Sequence, residues 1–394
     1  MWRRSFKTKL KLNNQQKTIL AKHAGVARHA YNWGLQTCLE ALSRNEKLPS
    51  AIDLHKKLVA EVKPVHKWYY EVSKCAPQQA LRNLATAFTN WWKHKHCQQP
   101  KFKNKGDSDS FYLEGSILFS GDKIKLPRIG WVRCHEILPS EQPKNVTISK
   151  RAGEWYVSYK FQFEPKGTQK IRQRLGVDLG INALATCSDG SIFPNPKAYR
   201  QAKRKLAHLQ RAVARKHKGS SNRKKAVNQV SILHQKVANI RLDALHKLTT
   251  WLAKNHSEIV IEDLNISGML KNHRLASAIA DCGFFEFKRQ LSYKCEWYGS
   301  RLIIADRFYP SSQLCSCCHH RQKMPLKERV YHCLNCGSVM DRDFNASVNL
   351  EYWHPEIDYP LTVSYTGIAC GGSKPLNGST VKDSVKQEVN AEPI

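Results

Sequence analysis

The sequence predicts a multidomain α+β protein, on three observations. At 394 residues the chain exceeds what one core usually organises, and roughly 100–200 residues per domain gives two or three domains. Apolar residues recur at three- and four-residue steps in the first hundred residues and again between about 200 and 254, which is the helical period. Between those stretches short runs alternate every second residue, as strands do. A hydrophobic content of 41% with 24% charged residues describes a folded chain and not a disordered one.

Taken in order, Leu20, Ala24, Ala27, Ala30 and Tyr31 form one helical stripe, and Ala80, Leu81, Leu84, Ala87, Phe88 and Trp91-Trp92 form a second. Both read as the core of a helix bundle, so the first hundred residues read as helical, with Lys17, Lys22, Arg28, Lys56, Lys57 and Arg82 interleaved. The character changes near Lys101–Ser108. The clearest strand is Trp155–Phe163, where every second residue is aromatic or Val; it follows Val146-Thr147-Ile148 across a turn at Ala152-Gly153. This pattern predicts a small β-barrel or sandwich, with Lys160 on its outward face. A third region opens at Leu175-Gly176-Val177-Asp178-Leu179-Gly180, continues through Ala183–Thr186 and turns at Ser188-Asp189-Gly190. From Lys197 to Lys225 there are twelve Lys/Arg and no Asp or Glu. Leu206, Leu209 and Val213 keep a helical period there, Gly219–Asn222 breaks it, and a second helix runs from about Lys224 to Lys254. The result is a helical hairpin with one strongly cationic arm. Such a run can be a solvated face, but twelve positive charges without a counter-charge favour a surface that tracks a nucleic-acid backbone. After Trp353 the period is lost, and much of 371–394 is expected to be mobile.

Charge narrows the function. The 64 Lys+Arg and 32 Asp+Glu leave a formal net charge of +32, and a folded protein this basic calls for a polyanionic partner. A ribosomal or membrane-surface protein is the plainer alternative. Runs such as Ile259-Val260-Ile261 and Leu302–Ala305 fall far short of the roughly 20 apolar residues of a membrane span. The basic start Met1–Lys7 leads into polar Asn13–Gln16 and not into an apolar signal core. Thirteen cysteines are an odd number; most are scattered singly, and five crowd between Cys315 and Cys336. That is metal-site arithmetic in a reducing compartment, so an intracellular, cytoplasmic protein is expected, nucleoid-associated when bound to DNA.

Two groups of residues carry chemistry. Asp178 stands in an apolar strand whose flanking glycines let a backbone or a phosphate approach closely, Glu262 ends the run Ile259–Ile261, and Asp343 opens a helix in which Phe344, Val348 and Leu350 suggest a buried side. Each alone is more often a turn or cap residue. Together, in the order strand, strand, helix, they suit hard cations such as Mg²⁺ acting on a phosphodiester. The second group is Cys315-x2-Cys318 and Cys333-x2-Cys336, thiolate pairs spaced to share one tetrahedral Zn²⁺ in a structural site. Cys317, His319, His320 and His332 are nearby, and a His can replace one thiolate.

These residues resemble the TnpB family, transposon-encoded RNA-guided DNA nucleases related to type V CRISPR effectors. The likeness rests on Gly176–Gly180, Ile259–Asn265, the four-cysteine ribbon with its lead-in Pro310–Cys315, and Asp341-Arg342-Asp343-Phe344-Asn345-Ala346. Tyr31-Asn32-Trp33 and Glu71–Leu81 look like the family's N-terminal helical region. The resemblance implies an RNase H-like (RuvC) nuclease core, 171–305 and 338–356, with a zinc ribbon inserted at 306–337. It also implies a wedge β-barrel from 1–18 and 105–170 and a helical recognition domain at 19–104; the remainder, 357–394, is expected from its composition to be a largely flexible tail. Asp178, Glu262 and Asp343 become catalytic ligands of two Mg²⁺ ions, Asp343 being preferred to Asp341 by the family's Asp-x-Asp-x-Asn pattern. Cys315, Cys318, Cys333 and Cys336 become the ligands of one structural Zn²⁺. Lys74 and Gln78 match residues that contact the short motif beside the target, though both can equally be plain helix-surface residues. Arg200, Lys203, Arg204, Arg211 and Arg215 are candidates for backbone contacts. The implied partners are a structured guide RNA from the transposon end and double-stranded target DNA, with no membrane. One departure is visible: the family usually has Gly after the second ribbon cysteine, where this chain has His319.

Three rival readings stay open at this level. A guide-independent nuclease on the same core would cut branched DNA without RNA. A regulator would bind nucleic acid and never cut. A transposase ranks lowest, since no nucleophilic Tyr motif stands out.

Overall fold

The computed structural model describes residues 2–355 apart from 107, 108, 140, 166 and 326; the C-terminal stretch 356–394, including the segment expected to be mobile, lies outside the described residues. The chain divides into two compact units, the first ending at Glu164 and the second beginning at Pro165. No described helix is long and apolar enough to cross a membrane.

In the first unit, strand β1 (Trp2–Lys11) precedes the long helix α1 (Asn14–Ser43). The helical reading of the first hundred residues is therefore corrected at its start. Trp2–Lys11 alternates with a period of two, turning Thr8 and Leu10 inward and its lysines outward. Asn13 begins α1 with a capping box, its side chain accepting the Gln16 N–H at 2.8 Å while Gln16 returns the bond to the Asn13 N–H at 3.1 Å. Helix α2 (Ala51–Lys57) continues through a π-helical turn into the short α3 (Lys63–Val65), and α4 (Cys75–Lys93) follows a 3₁₀ turn at Lys67–Glu71. Six further strands follow: β2 (Ser110–Glu114), β3 (Leu118–Ser120), β4 (Lys123–Leu126), β5 (Gly130–Cys134), β6 (Asn145–Arg151) and β7 (Glu154–Phe163). They join β1 in an antiparallel sheet of order β2-β6-β7-β1-β5-β4-β3. The β6–β7 hairpin turns at Ala152 and Gly153, both at positive φ, as a two-residue turn requires. Leu20, Leu35, Leu81 and Leu84 from the helices share one core with Ile124, Ile148 and Val157 from the sheet.

One buried polar residue in this core is pH-sensitive. His23 Nε2 accepts the Ser73 N–H at 3.0 Å, so Nδ1 must carry the proton and donate to the Ile19 carbonyl at 2.8 Å. Burial holds its pKa below the ordinary imidazole value of 6.5. The folded state therefore resists protonation, and the contribution is whole above pH ~6.5 and lost as pH falls from there towards the lowered folded value. Denaturant titrations of the chain at pH 8 and pH 5.5 are expected to show stability falling by up to about 1.4 kcal/mol per pH unit through this group. His23→Gln should flatten that slope; an unchanged slope would assign it elsewhere.

The second unit is built on a five-stranded sheet. Strands β8 (Arg172–Asp178), β9 (Ala183–Cys187) and β10 (Ile192–Pro194) form an antiparallel meander. Helices α5 (Ala198–Ala214) and α6 (Ser221–Asn255) then form a hairpin, with Ser220 capping α6 by accepting the Arg223 N–H. The chain returns as β11 (His256–Glu262), parallel to β8. After α7 (Ile266–Met269), α8 (Ala276–Cys282) and α9 (Phe284–Tyr298) comes β12 (Arg301–Ala305), parallel to β11. The order β10-β9-β8-β11-β12 is the 3-2-1-4-5 arrangement of an RNase H-like core, as the resemblance implied. A small ribbon containing β13 (Val330–His332) and β14 (Val339–Asp341) precedes the last helix, α10 (Arg342–Tyr352).

Candidate active site and metal cluster

Sheet geometry brings the first two acids together. Val177 pairs with Ile261 in the parallel β8–β11 ladder, so Asp178 and Glu262 follow at adjacent strand ends, on strands about 4.8 Å apart. The third acid arrives on a helix. Gly176 lets α10 lie directly on β8: a Cβ there would sit 1.9 Å from the Ser347 carbonyl oxygen and 2.4 Å from the Glu351 nitrogen. Arg172 clamps Glu351 with two bonds of 2.7 and 2.9 Å, fixing the helix antiparallel to the strand. Asp343 lies four residues before Ser347, about 6 Å along the helix, and Asp178 two residues beyond Gly176, about 6.7 Å along the strand. Equal steps in the same direction carry Asp343 to the strand end, where its Oδ2 is 4.0 Å from the Cβ position of Gly180.

The electrostatics agree with this convergence. Burial raises the Asp178 pKa well above the carboxylate range, and Glu262 and Asp343 raise it further. Burial also raises Glu262, offset by a hydrogen bond from the Ser311 hydroxyl. Asp343 is raised by burial and by Asp341, and Arg329 offsets this from 3.7 Å. The neighbouring acids have other duties. Asp341 caps α10, accepting the N–H groups of Asp343 and Phe344. Asp263 is paired with Lys288 at 3.1 Å and with Arg307, which hold its carboxyl below the usual range. Asp341 and Asp263 are thus both engaged in other contacts. Three oxygen donors that repel one another fit hard divalent cations, although they are not gathered as tightly as the cysteines.

The buried face of α10 differs in part from expectation, although Leu350 is buried as expected. Phe344 and Val348 are only half-buried, whereas Asn345, Ser347 and Asn349 are buried. Asn345 grips the ribbon's lead-in, donating to the Leu314 carbonyl at 2.6 Å and accepting the Ser316 N–H at 2.9 Å, and Asn349 donates to the carbonyls of Ser311 and Leu314 at 2.8 Å. The helix that presents Asp343 therefore also holds the ribbon.

In the ribbon the Sγ atoms of Cys315, Cys318, Cys333 and Cys336 lie within 4.8 Å of one another, with Cys315–Cys336 at 3.6 Å and Cys318–Cys333 at 3.5 Å. Four sulfurs 2.3 Å from a central ion have edges of about 3.8 Å, so the set fits a tetrahedral ion. Two equivalent knuckles build it. His319 and Gly337 donate their N–H to the carbonyls of Cys315 and Cys333 at 2.9 and 3.0 Å, while Cys315 and Cys333 donate to His320 and Ser338 at 3.0 and 2.9 Å. Gly337 sits at φ +71° and His319 at +56°. The departure from glycine thus keeps the knuckle's shape, with an L side chain in the left-handed region. His319, His320 and His332 are exposed and outside the thiolate cluster. Replacing His319 by Gly should stabilise the ribbon by about 1 kcal/mol. Slower metal loss to a chelator would show it; faster loss would mean that the imidazole contributes.

Residues 156–273 match a family model described as "Probable transposase", 284–350 one described as "Cas12f1-like, TNB domain", and 1–47 one described as "Helix-turn-helix domain". In this structure the last span holds β1 and α1. A Streptomyces pristinaespiralis protein named "Putative RNA-guided DNA endonuclease" is 35% identical, over 98% of this chain and 96% of its own length. The chain belongs to the TnpB family. An Escherichia coli K12 relative, "Putative RNA-guided DNA endonuclease InsQ", is 32% identical over 93% of this chain and 94% of its own. Among solved structures, the protein in "Cryo-EM structure of the Cas12f1-sgRNA-target DNA complex" matches with a TM-score of 0.51 at 13% identity, covering 86% of this chain and 83% of that one; the likeness is one of fold.

The remaining candidates of this TnpB-family chain are on other elements. Arg200, Lys203, Arg204, Arg211 and Arg215 are exposed on α5 and just after it. In the first unit, Lys74 is exposed immediately before α4 and Gln78 is half-buried one turn further on. Ser311 and Asn349 escape a reading of the sequence, because no local spacing indicates that Ser311 reaches Glu262, 49 residues away.

Proposed function

We propose that this chain is an RNA-guided DNA endonuclease that cuts target DNA beside a short flanking motif and serves the transposable element that encodes it. The observation that carries this reading is the meeting of Asp178, Glu262 and Asp343 at one end of an RNase H-like sheet. Two Mg²⁺ ions bound by these acids would supply charge neutralisation at the phosphate and a reactive water. The reaction is then in-line displacement by water, with no covalent enzyme intermediate. The protein's own part is positioning. Ser311 holds Glu262, the Asp341 cap and the Asn345 clamp fix the start of α10, and Gly180 keeps the approach to Asp343 free of a side chain. The four thiolates suit one Zn²⁺, and because they fill every tetrahedral position the ion is structural.

Within this reading, 1–18 and 105–170 form the wedge, 19–104 the recognition domain, 171–305 and 338–356 the nuclease, and 306–337 the ribbon. Arg200, Lys203, Arg204, Arg211 and Arg215 hold nucleic-acid backbone, and Lys74 and Gln78 read the flanking motif. The protein works in the cytoplasm, on the nucleoid. The division of labour is that of guided effectors: base pairing selects the sequence, and the protein reads shape and a short motif.

Expression with the native flanking DNA, purification at high salt and sequencing of the bound RNA tests the proposal. One abundant RNA with a constant structured part, mapping beside the gene, is expected. Heterogeneous RNA, or none, would favour the unguided nuclease or the regulator.

A further inference from the structure

Three long helices cap themselves, Asn13 serving α1, Ser220 serving α6 and Asp341 serving α10, whereas α4 and α9 have no side-chain cap. Helix α5, the cationic arm, does not cap itself either. Its first turn follows Lys197, which sits in the left-handed region at φ +45° and offers no side-chain bond. The cap comes instead from α8. Asp281, only 5% exposed, accepts the Tyr199 N–H with both carboxylate oxygens at 3.0 and 2.9 Å and the Arg200 N–H at 3.3 Å. The same carboxylate is paired with Arg241 of α6 at 2.9 Å, so one buried acid ties together both arms of the hairpin.

The same place in the fold also holds the turn that follows Asp178. Asn195 accepts the Lys197 N–H at 3.0 Å and donates to the Ile181 carbonyl at 2.8 Å and to the Cys282 sulfur at 3.3 Å. Cys282, adjacent to Asp281 and buried, reaches the Gly180 carbonyl at 3.8 Å. Gly180 and Ile181 are the second and third residues after Asp178. The start of α5 and the end of the catalytic strand are therefore held by neighbouring side chains.

We propose that Asp281, with Asn195 beside it, is a positioning residue that joins the cationic hairpin to the strand end carrying Asp178. Nucleic acid seated on the hairpin then bears on the groups that set the position of Asp178. The functional part of this inference rests on Asp178 being catalytic; the mechanical part does not.

The test is Asp281→Asn in the full chain, an isosteric change that removes the charge and turns an amide N–H towards existing donors. Hydrogen–deuterium exchange of the free protein reads the joint, and single-turnover cleavage at saturating target with the co-purified RNA reads its effect. Exchange is expected to speed up at both 198–203 and 179–183 while β11 stays protected. The cleavage rate should fall about 10- to 100-fold, the range seen when a supporting residue around a site is lost, with target affinity within about threefold. Faster exchange at 198–203 alone, or a loss of cleavage matched by a loss of affinity, would overturn the joint. Asn195→Ala, expected to give the same exchange pattern, replaces Asp281→Asn if that variant does not fold. The exchange result stands whether or not Asp178 proves catalytic, so failure of the functional reading and failure of the joint are distinguishable.

Discussion

Asp178→Ala is expected to lower DNA cleavage by at least about 10³-fold, some 4 kcal/mol of barrier, while leaving RNA binding within about twofold of the parent. Asp178 feels the charges of both Glu262 and Asp343, and the nearby acids are not free to replace it: Asp341 caps α10, and Asp263 is paired with Lys288 and Arg307. Arg200, Lys203, Arg204, Arg211 and Arg215, the residues proposed to hold nucleic-acid backbone, are exposed and unchanged in the variant. The fold should not suffer. Removing one of three mutually repelling, partly buried carboxylates relieves repulsion, so in the presence of a chelator the variant's melting temperature should equal or exceed the parent's. Cleavage assays, RNA-binding titrations and a thermal melt on the same preparation check all three expectations. Loss of RNA binding together with cutting would show either that the variant misfolds or that Asp178 has another role.

Gly176→Ala should be the most damaging single methyl group in the second unit. The added Cβ would stand 1.9 Å from the Ser347 oxygen and 2.4 Å from the Glu351 nitrogen, both main-chain atoms, so no rotamer change relieves the clash. Helix α10 must lift from β8. That separates Asp343 from Asp178, strains the Arg172–Glu351 pair and loosens the ribbon held by Asn345 and Asn349. A cost of about 3 kcal/mol or more is expected, the upper range for overpacking, with a melting-temperature fall of roughly 6–12 °C for a unit of this size. Gly180→Ala provides the comparison: its nearest contact would be the Ala183 oxygen at 3.0 Å, so the fold should be perturbed far less. A Gly176→Ala protein as stable as the parent would contradict the account of how the third acid is positioned.

The sequence carried much of the fold because its signals were local. The Trp155–Phe163 alternation, the hairpin break (expected at Gly219–Asn222 and found at 215–220) and the paired Cys-x2-Cys spacings each depend on residues within one element or turn. Long-range relations were less legible. β1 looked like the start of a helical region because its Arg and Lys residues masked the two-residue alternation, and its partner β7 lies some 150 residues away. In α10 the apolar Phe344 and Val348 suggested the packed face, yet the ribbon's backbone needs amide partners, and those favour Asn345 and Asn349. Gly176 was legible as a site of close approach, but only the structure shows that a helix backbone fills the space.

In the proposed function, RNA chooses where the three acids cut. This is tested most directly by giving the purified chain two guide RNAs that differ only in their variable segment. Each is presented in Mg²⁺ with a linear duplex bearing both matching sites, each site beside the flanking motif. Cleavage should move from one site to the other with the guide and vanish when RNA is withheld. Cutting at the same place with either guide, or cutting of branched DNA without any RNA, would contradict the account.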